Sequence, residues 1–181
     1  MNRRNHAEVE AIIGEVLNLL VIQWTLYEHI HQEFPNPQTS GREAIYRWLF
    51  TMRVMENDMI LRLCRLDDED KTKHCFREAL KAVRDLIPDS EAKCLDKRIK
   101  TYRATINPLK TQARNWCIAH LAKGAEESLT PRFQLLNVII EAVGIADAIA
   151  AEQVEYTFRP SKLDPVIKLR EYLKQPESNS P

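Results

Sequence analysis

The sequence predicts an all-α chain that folds as an antiparallel bundle of about five to six helices. Only 4 of the 181 residues are glycine, and strong helix formers dominate the composition. Apolar residues recur at steps of three and four rather than in strict alternation, which is typical of helices that bury one face. Proline-containing breaks divide the chain into pieces of helical length.

The first predicted helix runs from about Glu8 to Glu33 and ends at Pro35-Asn36-Pro37. Ser40 and Glu43 have the spacing of a capping box, which predicts the start of a second helix. A stripe of large side chains on this helix predicts core contacts, although a Met-rich stripe also suits an adaptable groove. The stripe comprises Ile45, Trp48, Met52, Met55, Met59, Leu63 and Leu66. The acidic run that follows, Asp67-Asp68-Glu69-Asp70, predicts a solvated loop.

Three further helices are predicted in the middle of the chain. Two of them span about Thr72 to Ile87 and about Glu91 to Ile106. Asn107-Pro108 then predicts a new start, with Asn as the N-cap and Pro in the first turn. A separate helix is therefore expected from about Pro108 to Lys123.

The last long helix is predicted from Arg132, directly after Thr130-Pro131, to about Phe158. It is apolar almost all round, which is typical of a central or interface helix, and its two acidic residues, Glu141 and Asp147, argue against a membrane span. We therefore assign residues 5–158 to the bundle. Residues 159–181 are expected to form a short helix, opened by Asp164-Pro165, and a disordered tail.

The composition excludes some classes of protein. The 26 basic and 26 acidic residues balance, which argues against a globally basic nucleic-acid coat protein but not against a local basic site. The four cysteines form no CxxC pair, so no zinc site, other metal or cofactor is expected. No signal peptide is recognisable at the start, so we expect a cytoplasmic protein with reduced thiols and no membrane contact.

The most informative segment is Arg114-Asn115-Trp116-Cys117-Ile118-Ala119-His120. A permanent cation can stabilise a crowded phosphate, and an imidazole can move a proton near neutral pH. Six residues of helix separate Arg114 and His120 by about 9 Å and about 120°. One helix therefore makes a poor two-residue site, whereas a twofold dimer could bring two copies into one cleft. The alternative is structural, with a surface arginine and a histidine packed in the core.

A local basic strip surrounds this segment. Between Lys93 and Lys123 the chain has eight basic residues and one acid, Asp96, a net charge of +7. Such a strip suits a polyanion such as RNA. Candidate RNA-binding residues are Arg103, Lys110, Lys123 and Trp116, although core packing is the more common role for a tryptophan such as Trp116.

The segment from Arg114 to Leu121 resembles the signature of the HEPN superfamily: Arg, a polar residue that is often Asn, a few variable residues, then His. The Ala119 before the histidine and the Leu121 after it resemble the abortive-infection subgroup of bacterial HEPN proteins. The segment from Leu61 to Asp67 is similar to the end of an early long helix in the same subgroup.

The resemblance implies a dimeric helical bundle whose two motifs form a metal-independent endoribonuclease site. Arg114 would contact the scissile phosphate, His120 would act as general acid or base, and Asn115 would orient one of them. Attack by the neighbouring 2′-hydroxyl would leave a cyclic phosphate and a free 5′-hydroxyl. Many members are toxins in phage defence or toxin–antitoxin systems, often beside a nucleotidyltransferase-type antitoxin. Other members are non-catalytic modules that bind RNA, a nucleotide or a protein partner, which is the alternative for this chain.

Overall fold

A computed structural model describes residues 6–31, 35–36, 38–68, 74–119 and 132–173, with only the backbone described for 112–119 and 132–134. The described part contains five α-helices and very little strand, so the predicted all-α class is confirmed. The helices are α1 (Ala7–His31), α2 (Arg42–Arg65), α3 (Phe76–Ala82), α4 (Asp89–Ala119) and α5 (Arg132–Ala150). Two 3-10 helices, Arg84–Leu86 and Leu169–Leu173, and two short strands, β1 (Thr157–Phe158) and β2 (Ile167–Lys168), complete it.

The four long helices surround a single apolar core. Both α1 and α4 pack against α2 and α5, and α3 packs against α1, α4 and α5. Glu15 of α1 pairs with Arg62 of α2, whereas His29, further along α1, meets Trp48, earlier in α2. Residues later in α1 therefore contact residues earlier in α2, which means that the two helices are antiparallel.

The helices α4 and α5 are also antiparallel. The part of α4 from Thr101 to Leu109 shares a groove with Asn137, Val138 and Glu141 of α5. The earlier part of α4, from Glu91 to Arg98, lines a second groove with residues from Gly144 to Gln153. The C-terminal half of α4 therefore lies beside the first half of α5.

The helix α1 is long and apolar enough to cross a membrane, judged by length and composition alone. In the bundle its apolar stripe lies in the core, which is a sufficient reason for this composition. The buried residues of α1 are Val9, Ile12, Ile13, Val16, Leu19, Leu20 and Leu26.

The predicted break at Asn107-Pro108 is wrong, because α4 runs unbroken from Asp89 to Ala119 with Pro108 inside it. Proline removes one backbone hydrogen bond from a helix. The buried positions nevertheless continue as one stripe across Pro108, so core packing keeps both halves in one helix. These positions are Leu95, Ile99, Tyr102, Ile106 and Leu109.

The predicted starts of two other helices also need correction. Among the described residues no side chain caps α2, whose N-cap residue is Gly41, and the carboxylate of Glu43 instead accepts a hydrogen bond from Arg47 at 2.6 Å. The helix predicted from Thr72 is shorter, since α3 spans Phe76–Ala82.

The predicted helix to Phe158 is also wrong, because α5 ends at Ala150. Ala151 has a φ of 61°, and the backbone N–H of Glu152 donates to the carbonyl of Asp147. This pattern is a Schellman termination, which normally places glycine at the left-handed position.

A hairpin then follows, and the only described part of the predicted C-terminal helix that is helical is the 3-10 helix Leu169–Leu173. Strands β1 and β2 pair antiparallel, Leu169 is buried, and Arg170 pairs with Asp147 at 2.6 Å. The boundary assigned between residues 158 and 159 therefore falls inside a hairpin that packs on the bundle. The expected tail from residue 174 lies outside the described residues.

Candidate functional site

The structure describes the predicted catalytic segment only in part. The backbones of Arg114, Asn115 and Trp116 belong to the last turns of α4, but their side chains are not described. His120 and Lys123 lie outside the described residues. The catalytic roles of Arg114, Asn115 and His120, and RNA contact by Trp116 and Lys123, therefore stay predictions.

A buried carboxylate joins α4 to the end of α2. Asp67 follows the last turn of α2 and is 2% exposed. Its two carboxylate oxygens both lie 3.0 Å from Nε of Arg103. Nζ of Lys110 donates to Oδ2 of Asp67 at 2.7 Å and to its backbone carbonyl at 2.9 Å. One carboxylate is thus shared by two cations of α4.

A neighbouring contact satisfies one carbonyl group in the last turn of α2. Tyr102 donates its hydroxyl hydrogen to the carbonyl of Leu63 at 2.9 Å, and Lys110 places its positive charge at the negative end of the helix dipole. Burial, and then the nearby Cys64 and Asp67, raise the pKa of Tyr102 well above the usual value for tyrosine. The phenol therefore stays protonated and remains a donor.

The position of Arg114 follows from the continuity of α4. Lys110 lies seven residues after Arg103 and Arg114 four residues after Lys110, so the three positions fall within about 40° around the helix axis. The rise from Lys110 to Arg114 is about 6 Å. Arg114 thus occupies the same stripe of α4 as the two cations held by Asp67, one turn further on.

The basic strip is less free than its sequence suggests. The structure describes six of its eight basic side chains, and four of these pair with carboxylates. Arg103 and Lys110 pair with Asp67, Arg98 pairs with Glu141, and Lys100 pairs with Asp96. Contact of Arg103 and Lys110 with RNA stays a prediction, and both cations are already shared with Asp67.

A groove of about 420 Å³ lies between α4 and α5, lined by residues that include Thr101, Thr105, Pro108 and Val138. On α4 these positions lie about 140° to 160° away from Arg103. The other lining residues on α4, Tyr102 and Leu109, lie about 100° and 120° from Arg103, so the groove and the cationic stripe lie on different sides of α4. Among the residues that the structure describes, no three His, Cys, Asp or Glu side chains cluster in a way that could hold a metal ion.

The sequence interpretation missed the role of Asp67, which was expected in a solvated loop. Asp67 lies four residues after Leu63 and so continues the buried stripe of α2. An acidic residue at a core position, together with Arg103 and Lys110 seven residues apart on one face of a later helix, is the signal that could have identified it.

The interpretation also missed an exposed apolar face on α2. Five apolar side chains of this helix are exposed: Tyr46, Leu49, Phe50, Val54 and Leu61. In addition, the stripe that was predicted to contact the core does so only in part. Met59, Leu63 and Leu66 are buried, whereas Met52 and Met55 only pack against the edge of the core. The signal in the sequence is that α2 is apolar on two sides.

Comparisons of the chain with protein-family models, with curated proteins and with solved structures give no match.

Proposed function

We propose that this protein is a metal-independent endoribonuclease of the HEPN type that acts as a toxin or phage-defence effector in the cytoplasm. One observation carries the proposal: Asp67 binds the helix that bears Arg114, and Arg114 lies on the same stripe as the two cations that Asp67 holds. Asp67 contacts Lys110, one turn of α4 before Arg114, so the end of the first segment that resembles HEPN proteins lies close to the start of the second.

The proposed chemistry uses the chain's own residues and needs no cofactor. Arg114 binds the scissile phosphate, His120 transfers the proton, and Asn115 orients one of these two groups. The 2′-oxygen attacks phosphorus while the bond to the 5′-oxygen breaks, so the products are a 2′,3′-cyclic phosphate and a 5′-hydroxyl. The Asp67 cluster bears two positive charges and one negative charge, and this surplus favours the approach of a phosphate backbone.

The proposed site is composite because Arg114 and His120 are offset by about 120° if α4 keeps helical geometry to residue 120. A homodimer with its two motif helices face to face combines the Arg114 of one subunit with the His120 of the other. A nucleotidyltransferase-type antitoxin is the proposed protein partner.

The test is RNA cleavage by the purified protein in the presence of a metal chelator. We expect cleavage to cyclic-phosphate ends, and a fall of about 10²- to 10⁴-fold in rate for His120→Ala, the range that general acid–base catalysis contributes. Arg114→Ala should also abolish cleavage while the melting temperature stays unchanged. Arg84→Ala and His6→Ala change an exposed arginine and an exposed histidine elsewhere, and they should cleave at the parental rate.

Cleavage at the parental rate by both His120→Ala and Arg114→Ala would contradict the site. Toxicity on expression in a bacterium, relieved by His120→Ala, is the corresponding readout in cells.

The exposed face of α2 favours a second candidate function, a non-catalytic module that binds RNA, a nucleotide or a protein partner. Exposed aromatic side chains are enriched at protein interfaces. A protein that forms a stable complex and shows no cleavage at any concentration would support this candidate over the nuclease.

A further inference from the structure

One side of α2 exposes an apolar stripe, interrupted by Asn57 between Val54 and Leu61. Tyr46, Phe50, Val54 and Leu61 lie within about 80° of one another around the helix axis and extend over about 22 Å. Tyr46 is 68% exposed and Phe50 is 69% exposed. All of α2 is described, and none of its residues from 42 to 58 is buried. Residues 42–58 of α2 therefore contribute little to the core and present large side chains to solvent.

The area of this stripe is appropriate for one side of a protein interface. With about 150 to 250 Å² for each aromatic side chain and somewhat less for each aliphatic one, the exposed fractions give roughly 400 Å² of apolar surface, within the range for a monomer's largest patch. A standard interface buries about 800 Å² on each partner. The flanking polar side chains can supply the remainder.

The charges beside the stripe indicate which partner fits. Residues 42–53 contain Arg42, Glu43, Arg47 and Arg53, a net charge of +2, whereas residues 54–61 contain Glu56 and Asp58, a net charge of −2. The next residue, Arg62, pairs with Asp58 and with Glu15 of α1, and Arg62 and Glu15 together add no net charge to this half. The stripe is thus basic at one end and acidic at the other.

We propose that a second copy of this chain docks on this stripe, with the two α2 helices antiparallel about a twofold axis near Met52. This arrangement places the basic half of each helix against the acidic half of the other, whereas a parallel arrangement would juxtapose like charges. Phe50 then packs against Val54 of the partner subunit. A twofold contact uses the same patch on both subunits, which a self-complementary stripe allows.

This contact is separate from the composite nuclease site. The stripe lies mainly beside the C-terminal end of α1, where His29 meets Trp48, whereas Asp67 lies at the other end of α2. Antiparallel pairing of α2 therefore holds the two Arg114 positions apart. Self-association through α2 does not depend on RNA cleavage, and a chain that used both contacts would form a closed tetramer or an open filament.

The test is sedimentation equilibrium of the purified chain over a range of concentrations. We expect an association step that Phe50→Glu weakens at least tenfold in Kd, with an unchanged melting temperature in dilute solution. Leu163→Glu is the matched control, because Leu163 is 97% exposed in the loop between β1 and β2, and it should associate like the parent. Equal dissociation constants for the parent and Phe50→Glu would overturn the proposal, because association would then use another surface, such as the motif helices of the proposed nuclease dimer. A parent that stays monomeric up to about 100 μM would overturn both contacts, since standard interfaces are usually much tighter.

The charge pattern provides a second, independent measurement. Arg47→Glu places a negative charge opposite the acidic half of the partner, so we expect weaker association, whereas the exposed Arg84→Glu should have no effect. Raising the salt concentration should also weaken association of the parent. Equal dissociation constants for the parent and Arg47→Glu would refute the antiparallel arrangement.

Discussion

The two ends of α2 break the usual rule of burial in opposite directions. At the C-terminal end a carboxylate is buried, and Asp67 is held by Arg103 and Lys110. In the N-terminal half, Tyr46 and Phe50 are exposed. A buried charge persists because its partners are inside the same chain, whereas exposed aromatic side chains indicate a partner outside it. The same helix thus carries a carboxylate at one end that is paired within the chain and apolar side chains at the other end that are open to solvent.

A large loss of stability should come from removing the charge of Asp67. Asp67→Asn leaves Arg103 and Lys110 close together without a counter-charge. Loss of one partner from a buried ion pair costs about 3–5 kcal/mol. We expect a loss at the lower end of this range, because the side chains of Arg103 and Lys110 are still 22% and 23% exposed to solvent. Urea unfolding measures this loss.

The matched control is Asp89→Asn, since the side chain of Asp89 is 84% exposed and pairs with Arg84 at the surface. Its effect on unfolding should stay below about 1 kcal/mol. Equal urea midpoints for Asp67→Asn and Asp89→Asn would show that the buried cluster does not fasten α2 to α4.

A second pair of substitutions compares a buried and an exposed apolar side chain of α2. Met59 is buried, and Met59→Ala should lower the free energy of unfolding by about 2–5 kcal/mol, as core truncations do. Val54 is exposed, so Val54→Ala should change it by less than about 0.5 kcal/mol in dilute protein. A large loss of stability for Val54→Ala in a monomer would mean that another part of the same chain covers Val54.

The smallest effect concerns the hydroxyl of Tyr102. Tyr102→Phe removes its hydrogen bond to Leu63, and the loss should be about 1 kcal/mol at pH 7. Because the folded-state pKa of Tyr102 is raised, the unfolded phenol ionises first, near pH 10, and wild-type stability falls above that pH. The difference between wild type and Tyr102→Phe should therefore shrink between pH 9 and pH 11, which urea titrations can follow. A constant difference across this range would contradict the role of the buried phenol.

Local signals in the sequence predicted the helices better than their ends. The stripes of α1 and α5 follow from three- and four-residue spacing, because one face of each helix must be buried. Asn107-Pro108 was misleading, since a turn signal is weaker than a continuous buried stripe from Leu95 to Leu109. The end of α5 at Ala150 was missed because an alanine occupies the left-handed position where glycine is the usual signal.

In the candidate site, too, local features could be predicted from the sequence and long-range contacts could not. The pairing of a permanent cation and an imidazole in Arg114 and His120 is visible in the sequence, because it depends on residue types and spacing. The contact of Asp67 with Arg103 and Lys110 joins residues 36 and 43 positions apart, and no local pattern specifies such a distance.

The sequence by itself determined the all-α class, the long apolar helices and the concentration of basic residues before Arg114, because helix periodicity and charge are local properties of the chain. Only the tertiary structure decided which charges are neutralised and which apolar side chains stay exposed. Burial depends on which helices become neighbours, and the packing of α2 against α4 both encloses Asp67 and leaves Phe50 on the surface.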